Sequence, residues 1–554
     1  MNHKTSPHGA TVVRGLNRVP QSTIGTQAKF GRMFRWLAPA HDPKDGKSRI
    51  ELEALLDQLA GLMVTSEFLG NIKAKKFTNS KGGLTPDAPI TESEPGDENP
   101  KIPAGYTYFG QFVDHDITFD PASSLQKQND PDALEDFRTP RFDLDCIYGR
   151  GPGDQPYLYD HKDRGVMALG PDVGVGNMKR FDLMRLPDGT AVLGDKRNDE
   201  NKIVSQIQAL FLSFHNKIYQ LLPYGDNRFS EAQRIVRWCY QYIVLNDFLK
   251  RICVKSVYDA VKPGGKTSRG PNLGHYSAHG EAFIPVEFSV AAYRFGHSMV
   301  RPSYSLNDQV LHGTGIFKHD GKNFDFARIP IFDVSKPHKA TQAMNGFGDR
   351  LPPHWGVDWH YFFGEIKKQY GKNEKRKPQP SYRIDSKLVD PLGDLPEFHK
   401  MGSPFKSLAY RNLLRGVGLG LPSGESIADM IGIKVLTTKE LWYQKFDNEA
   451  IQPWDEGKAL IAKPAAKAWL EGNTPLWFYI LKEAEIKQKG ECLGELGSTI
   501  VAETFYGLMW NDHYSYLFQQ PGWNPSLETS LKDSKGKTVK LPSNFDMAAL
   551  TEFM

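Results

Sequence analysis

The sequence predicts a mainly α protein, with one large helical domain, long irregular loops and little β structure. In several segments, apolar residues recur with a period of about 3.6 residues, which is the spacing of an amphipathic helix. Long stretches without this periodicity separate the segments, notably 151–200, 260–285 and 304–355. Loops of such length commonly carry function. The chain of 554 residues shows no internal repeat and no clean linker, so we expect a single large domain.

Helical periodicity recurs along the whole chain. It is found in Arg49–Lys73, Val204–Leu222, Ser423–Ile431, Pro464–Glu471 and Gly497–Met509. Ser230 and Gln233 have the spacing of a capping box, which predicts the start of another long helix running to about Cys253. We expect residues 1–95 to form an N-terminal arm packed on the main body, and residues 96–554 to form the main domain.

Composition excludes several classes of protein. Hydrophobic residues make up 39% of the chain and charged residues 24%, which is typical of a soluble globular protein. The net charge of +4 is small for this length. A nucleic-acid partner would require a concentrated basic face, so none is expected. No stretch approaches about 18 consecutive apolar residues, so no membrane span is expected.

The compartment is only weakly constrained. The first 20 residues contain no apolar run of signal-peptide length. The four cysteines, Cys146, Cys239, Cys253 and Cys492, are widely scattered, so they predict neither a zinc cluster nor a disulfide framework. We therefore expect a cytoplasmic protein, or one exported by a route without an N-terminal signal.

The segment "YFGQFVDHDITFDP" combines apolar residues with two carboxylates that flank a histidine. Burying a charge is costly unless it is paired, hydrogen-bonded or metal-bound. On a helix, Gln111, Asp114 and His115 share one face, because they are three and four residues apart. Such a face places an imidazole, an amide and a carboxylate over one ligand. Asp116 points elsewhere on that helix and requires a different partner.

A second polar motif, "TPRFDLDCIYG", provides that partner. Thr139, Arg141, Asp143 and Asp145 stand at alternate positions, which project to the same side of an extended loop. Carboxylates, a hydroxyl and backbone carbonyls form the hard oxygen cage that Ca²⁺ prefers, and Asp116 would complete it. The alternative is a polar surface loop.

Three further segments each have an ordinary structural explanation when taken singly. In "LGDKRNDEN", Arg197 and Glu200 have the spacing of a surface ion pair. In "AAYRFGHSMVRP", His297 has the surroundings of a core histidine. In "YRNLLRGVGLGLPSG", Asn412 and Arg415 lie where a helix runs into a loop.

Together and in this order, the five segments resemble the animal-type haem peroxidases of the peroxidase–cyclooxygenase superfamily, which includes bacterial members. The resemblance runs from about Tyr106 to Pro422 and rests on the combination of GQFVDHD, R-x-x-E, YRFGH and RN-x-x-R with a later GLP. It implies a haem peroxidase domain over residues 96–554, with haem b and Ca²⁺ as cofactors. It also implies that hydrogen peroxide is used to oxidise a halide, thiocyanate or small aromatic donor.

The resemblance implies a role for each matching residue. His115 and Arg197 resemble the catalytic distal histidine and arginine. Gln111 resembles the distal amide that orients water or a small anion. His297 resembles the proximal ligand to the haem iron, and Asn412 resembles its hydrogen-bond partner.

Other matching positions imply contacts with the cofactors. Arg415 resembles a residue that pairs with a haem propionate, and Arg294 is expected to bind the cofactor as well. Asp114 and Glu200 match the carboxylates that form ester bonds to haem methyl groups. The calcium site is matched by Asp116, Thr139, Arg141 (through its carbonyl), Asp143 and Asp145.

Departures from the family bear on the reaction. Asn201 stands where myeloperoxidase has the methionine of its sulfonium link, so that link should be absent. Arg294 stands where cyclooxygenases and fatty-acid dioxygenases carry a radical tyrosine, and Tyr293 is expected to face another side of the helix. These features favour a peroxidase. The alternatives are a haem-dependent oxygenase acting on a lipid or other bulky substrate, and a non-catalytic calcium-binding scaffold.

Overall fold

Helices form most of the regular secondary structure in the computed structural model. The structure describes residues 30–64, 97–118, 139–264, 270–278, 282–307, 317–319, 322–324, 329–332, 343–347, 350–369 and 376–554. The prediction of a mainly α protein with long irregular loops and little β structure is confirmed. Among the described residues, no helix is both long enough and apolar enough to cross a membrane.

The helices are labelled in chain order. The first group is α1 (Gly46–Met63), α2 (Gly105–Ile117), α3 (Asp145–Tyr148), α4 (Lys202–Leu221), α5 (Arg228–Ile243), α6 (Leu249–Ile252), α7 (Lys255–Val261) and α8 (Val286–Val290). The second group is α9 (Leu408–Gly418), α10 (Gly424–Met430), α11 (Thr438–Trp442), α12 (Asp455–Ile461), α13 (Pro464–Leu470), α14 (Leu476–Gln488), α15 (Glu495–Asn511), α16 (Tyr516–Gln519) and α17 (Met547–Phe553). Short 3-10 helices cover Pro156–Leu158, Lys196–Asp199, Ala292–His297, Trp359–Tyr361, Asp390–Gly393, Pro396–Met401 and Pro525–Leu527, and a π-helical turn covers Val244–Phe248.

The strands are short and pair two at a time. They are β1 (Phe30–Gly31), β2 (Glu98–Pro103), β3 (Ile284–Pro285), β4 (Ser303–Tyr304), β5 (Phe317–His319), β6 (Lys322–Phe324), β7 (Ile329–Pro330), β8 (Pro380–Tyr382), β9 (Gln444–Asp447) and β10 (Ala450–Pro453). β1 and β3 are parallel, and the pairs β2–β8, β4–β7, β5–β6 and β9–β10 are antiparallel.

Most predicted helices are confirmed within a few residues of their ends. The exception is the capping box. α5 begins at Arg228, and the Ser230 hydroxyl donates to the Asn227 carbonyl instead of capping the helix. The helical run from α5 through α6 does end before Cys253, as predicted. The first predicted helix ends at Met63, and residues 65–73 of the prediction lie outside the described residues.

The described part of the predicted N-terminal arm contacts the elements that carry the later motifs. α1 packs on α9. The Arg32 guanidinium donates to the carbonyls of Leu419 (2.6 Å) and Gly420 (3.1 Å), just beyond α9. The fully buried Glu287 carboxylate on α8 accepts hydrogen bonds from the backbone N–H groups of Met33 (3.1 Å) and Phe34 (3.2 Å). The division into an arm and a main domain stays a prediction.

The core around α2 is aromatic. The Phe112 ring stacks on Phe211 of α4 with centroids 5.1 Å apart, and the Phe109 ring meets the edge of Phe248 at 5.6 Å. The first residue of α2 must be a glycine because the backbone of another segment lies close by: a Cβ added at Gly105 would sit 2.5 Å from the Phe362 carbonyl oxygen. This packing fixes the position of the helix that carries the first motif.

Phe112→Ala should lower the free energy of unfolding by about 3–5 kcal/mol, because it leaves a cavity in this aromatic core. Denaturant unfolding followed by circular dichroism measures the change. Ile50→Ala on α1 is the control, since the Ile50 side chain is 70% exposed. Equal midpoints for the two variants would contradict a central packing role for Phe112.

Candidate active site

A cavity of about 470 Å³ lies between α2 and the 3-10 helix Ala292–His297. Its wall includes both candidate histidines, His115 and His297. Most of the remaining wall is apolar, and includes Phe248, Phe295, Met299, Val300, Ile331, Phe332, Phe347, Leu392, Leu395, Phe398 and Leu408. The chain therefore folds two distant histidine motifs onto one enclosed, mainly apolar space.

α2 supplies three polar groups to this cavity, as the spacing predicted. Gln111, Asp114 and His115 all line the wall. Asp116, the next residue, is fully buried and is not part of the cavity wall. The helical period therefore sends the two carboxylates that flank the histidine to different surroundings.

The His115 imidazole is buried between polar partners. Its Nδ1 lies 2.7 Å from Asn198 Oδ1, and its Nε2 lies 3.8 Å from Glu200 Oε1. Burial, followed by the positive charge of Arg197, lowers the pKa of His115 to about 4. The imidazole is therefore neutral at neutral pH and able to accept a proton.

Gln111 joins the cavity to the start of α4. Its Oε1 accepts a hydrogen bond from Asn201 Nδ2 at 3.0 Å, and its amide nitrogen donates to Glu200 Oε1. Asn201 is also the N-cap of α4, where its Oδ1 accepts from Ile203 and Val204. Burial raises the pKa of Glu200 to about 8, so its carboxyl group is mainly protonated at neutral pH.

Arg197 lies in the cavity wall, and its guanidinium forms hydrogen bonds with Asp195 and with the end of α2. Nη2 donates to Asp195 Oδ2 (2.8 Å), to the His115 carbonyl (3.0 Å) and to the Thr118 carbonyl. The last carbonyls of a helix lack partners within the helix, so a guanidinium is well suited to bind them. Arg197 thus places a fixed positive charge beside His115 and also holds the end of α2.

On the other side of the cavity, His297 contacts Asn412 as the resemblance implied. His297 Nδ1 lies 2.9 Å from Asn412 Nδ2, and Arg294 Nη1 donates to Asn412 Oδ1 at 2.9 Å. The edge of the Trp477 indole faces the imidazole, with ring centroids 6.4 Å apart. Burial, followed by the charge of Arg294, lowers the pKa of His297 to about 3, so the imidazole is neutral and able to bind a metal.

Arg294 lies close enough to Arg411 and Arg415 for the three positive charges to repel one another. Arg294 lines the wall, whereas Arg415 is not among the lining residues. Burial, followed by the charge of Arg415, lowers the pKa of Arg294 to about 10. The same two causes lower the pKa of Arg411. The mutual repulsion of these three groups would be relieved by an anionic ligand.

Tyr293 and Arg294 both line the cavity, although they contact different elements. The Tyr293 hydroxyl donates to the Gly110 carbonyl of α2 at 3.1 Å, whereas Arg294 Nη1 donates to Asn412 of α9. Tyr293 therefore faces another side of the helix from Arg294, as expected, but it still reaches the cavity. The segment is a 3-10 helix rather than an α-helix.

The predicted calcium ligands also come together. Single carboxylate oxygens of Asp116, Asp143 and Asp145 lie within 4.8 Å of one another. The Thr139 hydroxyl donates to Asp143 Oδ2 at 2.8 Å. The Arg141 side chain instead approaches Asp512, with Nε and Oδ1 3.9 Å apart.

The backbone brings these ligands together in a different way from the extended loop that was predicted. Residues 140–143 form bends, and Leu144 has a left-handed conformation with φ of 56°. The Leu144 N–H donates to Asp116 Oδ2 at 3.2 Å, which ties the loop to α2. A bend, rather than alternation along a strand, gathers the carboxylates.

Sequence similarity agrees with this geometry. Residues 136–322 match the family model described as "Animal haem peroxidase". Over this segment the chain is similar to the animal haem peroxidases. The family implies a haem cofactor and an oxidoreductase.

Two proteins of Caenorhabditis elegans are similar to this chain. Peroxidase mlt-7 is 30% identical over 162 residues, which cover 26% of this chain and 21% of that protein. Heme peroxidase 2 is 23% identical over an alignment of 561 positions, which covers 89% of this chain and 71% of that protein. Among solved structures, fatty acid alpha-dioxygenase of Oryza sativa is similar with a TM-score of 0.48 and 14% identity, over 77% of this chain and 71% of that chain.

The residues around the cavity fit a haem group. Haem has an apolar macrocycle and two carboxylates, and this cavity combines an apolar wall with the Arg294 guanidinium, to which Arg411 and Arg415 add positive charge from outside the wall. His297 would hold the iron, because its imidazole is neutral and contacts the cavity. Asp114 and Glu200 also line the cavity wall.

Several residues around the cavity were not found from the sequence. Asn198 contacts His115, Asp195 holds Arg197, and Trp477 lies against His297. For Asn198 and Asp195 the only signal was their position beside Arg197 in one motif. For Trp477 there was none, since it comes from α14, far along the chain.

In the haem-free protein, Glu200 should make stability depend on pH. Its pKa of about 8 lies above the ordinary 4.5. The folded state therefore holds a proton that the unfolded chain releases between these values, and the free energy of unfolding falls as pH rises through this range. The slope is at most about 1.4 kcal/mol per pH unit.

Glu200→Gln cannot ionise, so this decline should be absent from denaturant unfolding curves recorded at successive pH values. Glu456→Gln, at an exposed position of α12, is the control and should keep it. If the free energy of unfolding falls equally with pH in both variants, the pH dependence comes from ionisable groups other than Glu200.

Proposed function

We propose that this protein is a haem peroxidase that uses hydrogen peroxide to oxidise a small donor, either a halide, thiocyanate or an aromatic compound. The observation that carries the proposal is the shared cavity. It brings His115, with Gln111 and Arg197, opposite His297 and its partner Asn412. A base on one side and a metal-binding imidazole on the other are the groups that peroxide chemistry needs.

His115 is proposed to move the proton. Bound haem would supply the iron at which the oxygen–oxygen bond of hydrogen peroxide is broken. Hydrogen peroxide must lose a proton from one oxygen and gain it on the other, and a single imidazole performs both transfers. The low pKa keeps His115 unprotonated beforehand and makes its conjugate acid a ready proton donor. Nε2 is the nitrogen that lies toward Glu200.

Arg197 and Gln111 are proposed to support this transfer. The Arg197 guanidinium is held by Asp195, so it acts as a fixed charge that stabilises negative charge on the departing oxygen. The Gln111 amide is held by Asn201 and orients water or a small anion in the cavity.

His297 is proposed as the proximal ligand, with Asn412 as the group that tunes it. An amide partner leaves the imidazole ligand closer to neutral than a carboxylate would. A neutral ligand raises the iron potential, which makes the oxidised site a stronger oxidant. Arg294 orients the Asn412 amide. Arg415 would pair with a haem propionate.

Ca²⁺ is proposed to bind Asp116, Asp143 and Asp145, with Thr139 and the Arg141 carbonyl. Asp116 directly follows His115. A cation that joins Asp116 to the loop would therefore hold the end of α2 that carries the base. Ester links from Asp114 and Glu200 to haem methyl groups are part of the same proposal.

Tyr293 favours one second candidate, a haem-dependent oxygenase for a lipid or other bulky substrate. A tyrosine in the wall of an apolar cavity is suited to take part in one-electron chemistry on an apolar substrate. The Gly110 carbonyl that holds its hydroxyl is not a base, which weighs against this function.

The absorption spectrum of the purified protein tests the central proposal. We expect a Soret band that shifts with hydrogen peroxide, and His115→Ala should slow that shift by about 10²–10⁴-fold because the proton acceptor is lost. His297→Ala should abolish stable haem binding. His161→Ala is the control, since that side chain is 78% exposed. A protein without a Soret band after haem is supplied would contradict the proposal, and acid–acetone extraction reports whether the haem is ester-linked.

Asp143→Ala should lower the calcium content and the thermal stability in the presence of calcium, because a ligand that binds only the folded state stabilises it. Atomic absorption and thermal unfolding with and without chelator measure both effects. Asp226→Ala, at an exposed position, is the control. Unchanged calcium content in Asp143→Ala would indicate that this segment is a polar surface loop and not a calcium site.

A further inference from the structure

We infer that Asn198 and Gln208 are positioning residues for the peroxide step, because they form a hydrogen-bond relay that fixes which nitrogen of His115 carries its proton. The inference rests on the proposed peroxidase function, in which His115 is the base. Neither residue was assigned a role from the sequence: Asn198 lies beside Arg197 in the motif LGDKRNDEN, and Gln208 lies outside the five motifs. The relay runs from α3, through α4 and the 3-10 helix Lys196–Asp199, to α2.

The direction of the relay is fixed at one end by the backbone. The Cys146 carbonyl can only accept, so the group of Gln208 that lies 3.2 Å away is its amide nitrogen, Nε2. Gln208 Oε1 is then left facing Asn198 at 2.8 Å, and Asn198 must present Nδ2 to it. This leaves Asn198 Oδ1 facing His115 Nδ1 at 2.7 Å.

An amide oxygen only accepts, so His115 Nδ1 carries the proton and donates it to Asn198. The lone pair is then on Nε2, the nitrogen that lies 3.8 Å from Glu200 Oε1. This is the tautomer that takes a proton from hydrogen peroxide. In the other tautomer, Nε2 already holds a proton and is unable to act as the base.

Burial makes the relay hard to reverse. Asn198 is fully buried, Gln208 is 1% exposed and His115 is 4% exposed. Turning either amide would bring two donors or two acceptors face to face, and an unsatisfied buried polar group costs about 1–3 kcal/mol. For comparison, loss of the side chain that orients a catalytic histidine lowers kcat by about 10⁴-fold in a serine protease.

Two substitutions of Asn198 separate tautomer control from a purely structural role. Asn198→Asp keeps an acceptor for the Nδ1 proton, whereas Asn198→Leu has a similar size and no acceptor. Gln208→Leu leaves Asn198 in place but lets its amide present either atom. The readouts are the stopped-flow rates of the Soret change with hydrogen peroxide and with cyanide, measured on the haem-loaded full chain. Hydrogen cyanide also gives up a proton when cyanide binds, so its association rate reports on the base without any oxidation.

We expect Asn198→Leu to slow both association rates by 10²-fold or more at unchanged haem content, and Asn198→Asp to stay within about tenfold of wild type. Gln208→Leu should fall between them. Wild-type rates in Asn198→Leu would overturn the inference. Equal decreases of the association rates in Asn198→Leu and Asn198→Asp, in proportion to a loss of thermal stability, would also overturn it. Asn198 and Gln208 would then have a purely structural role. A wild-type protein that fails to react with hydrogen peroxide would instead remove the proposed function.

Discussion

Burial of α2 is the constraint on which the rest of the site depends. The helix crosses an aromatic core, yet it carries an imidazole, an amide and the buried Asp116 carboxylate, which are costly to bury without partners. Each of these three groups has a partner from another part of the chain. His115 has Asn198, Gln111 has Asn201, and Asp116 has the Leu144 N–H. The partners hold the helix in register, so the requirement to satisfy buried polar groups also positions the catalytic side chains.

The same burial decides the charge of the groups that face the cavity. Desolvation disfavours ions of either sign, so it lowers the pKa of His115 and His297 and raises that of Glu200. All three are neutral near pH 7. One physical cause thus provides a base on one side of the cavity and a metal ligand on the other, while Arg197 keeps a fixed positive charge between Asp195 and the end of α2.

The opposite side of the cavity depends on a segment from near the start of the chain. Arg32 binds the carbonyls that follow α9, and the buried carboxylate of Glu287 binds the backbone of Met33 and Phe34. α9 carries Asn412, and α8, which carries Glu287, leads directly into the 3-10 helix that ends at His297. The first described residues therefore brace the elements that place the proposed proximal ligand and its partner.

The sequence alone determined whatever depends on short-range spacing. The period of the apolar residues was enough to predict most of the helices, and the spacing of Gln111, Asp114 and His115 was enough to place them on one face. Local patterns gave the wrong backbone conformation where contacts with other segments determine it. α5 begins before Ser230, and the acidic residues are brought together by a bend rather than by an extended loop. Only the tertiary structure decided that Tyr293 lines the cavity and that Asn198 meets His115. These features depend on contacts between segments far apart in the chain, and one segment's spacing carries no information about the partner it will meet.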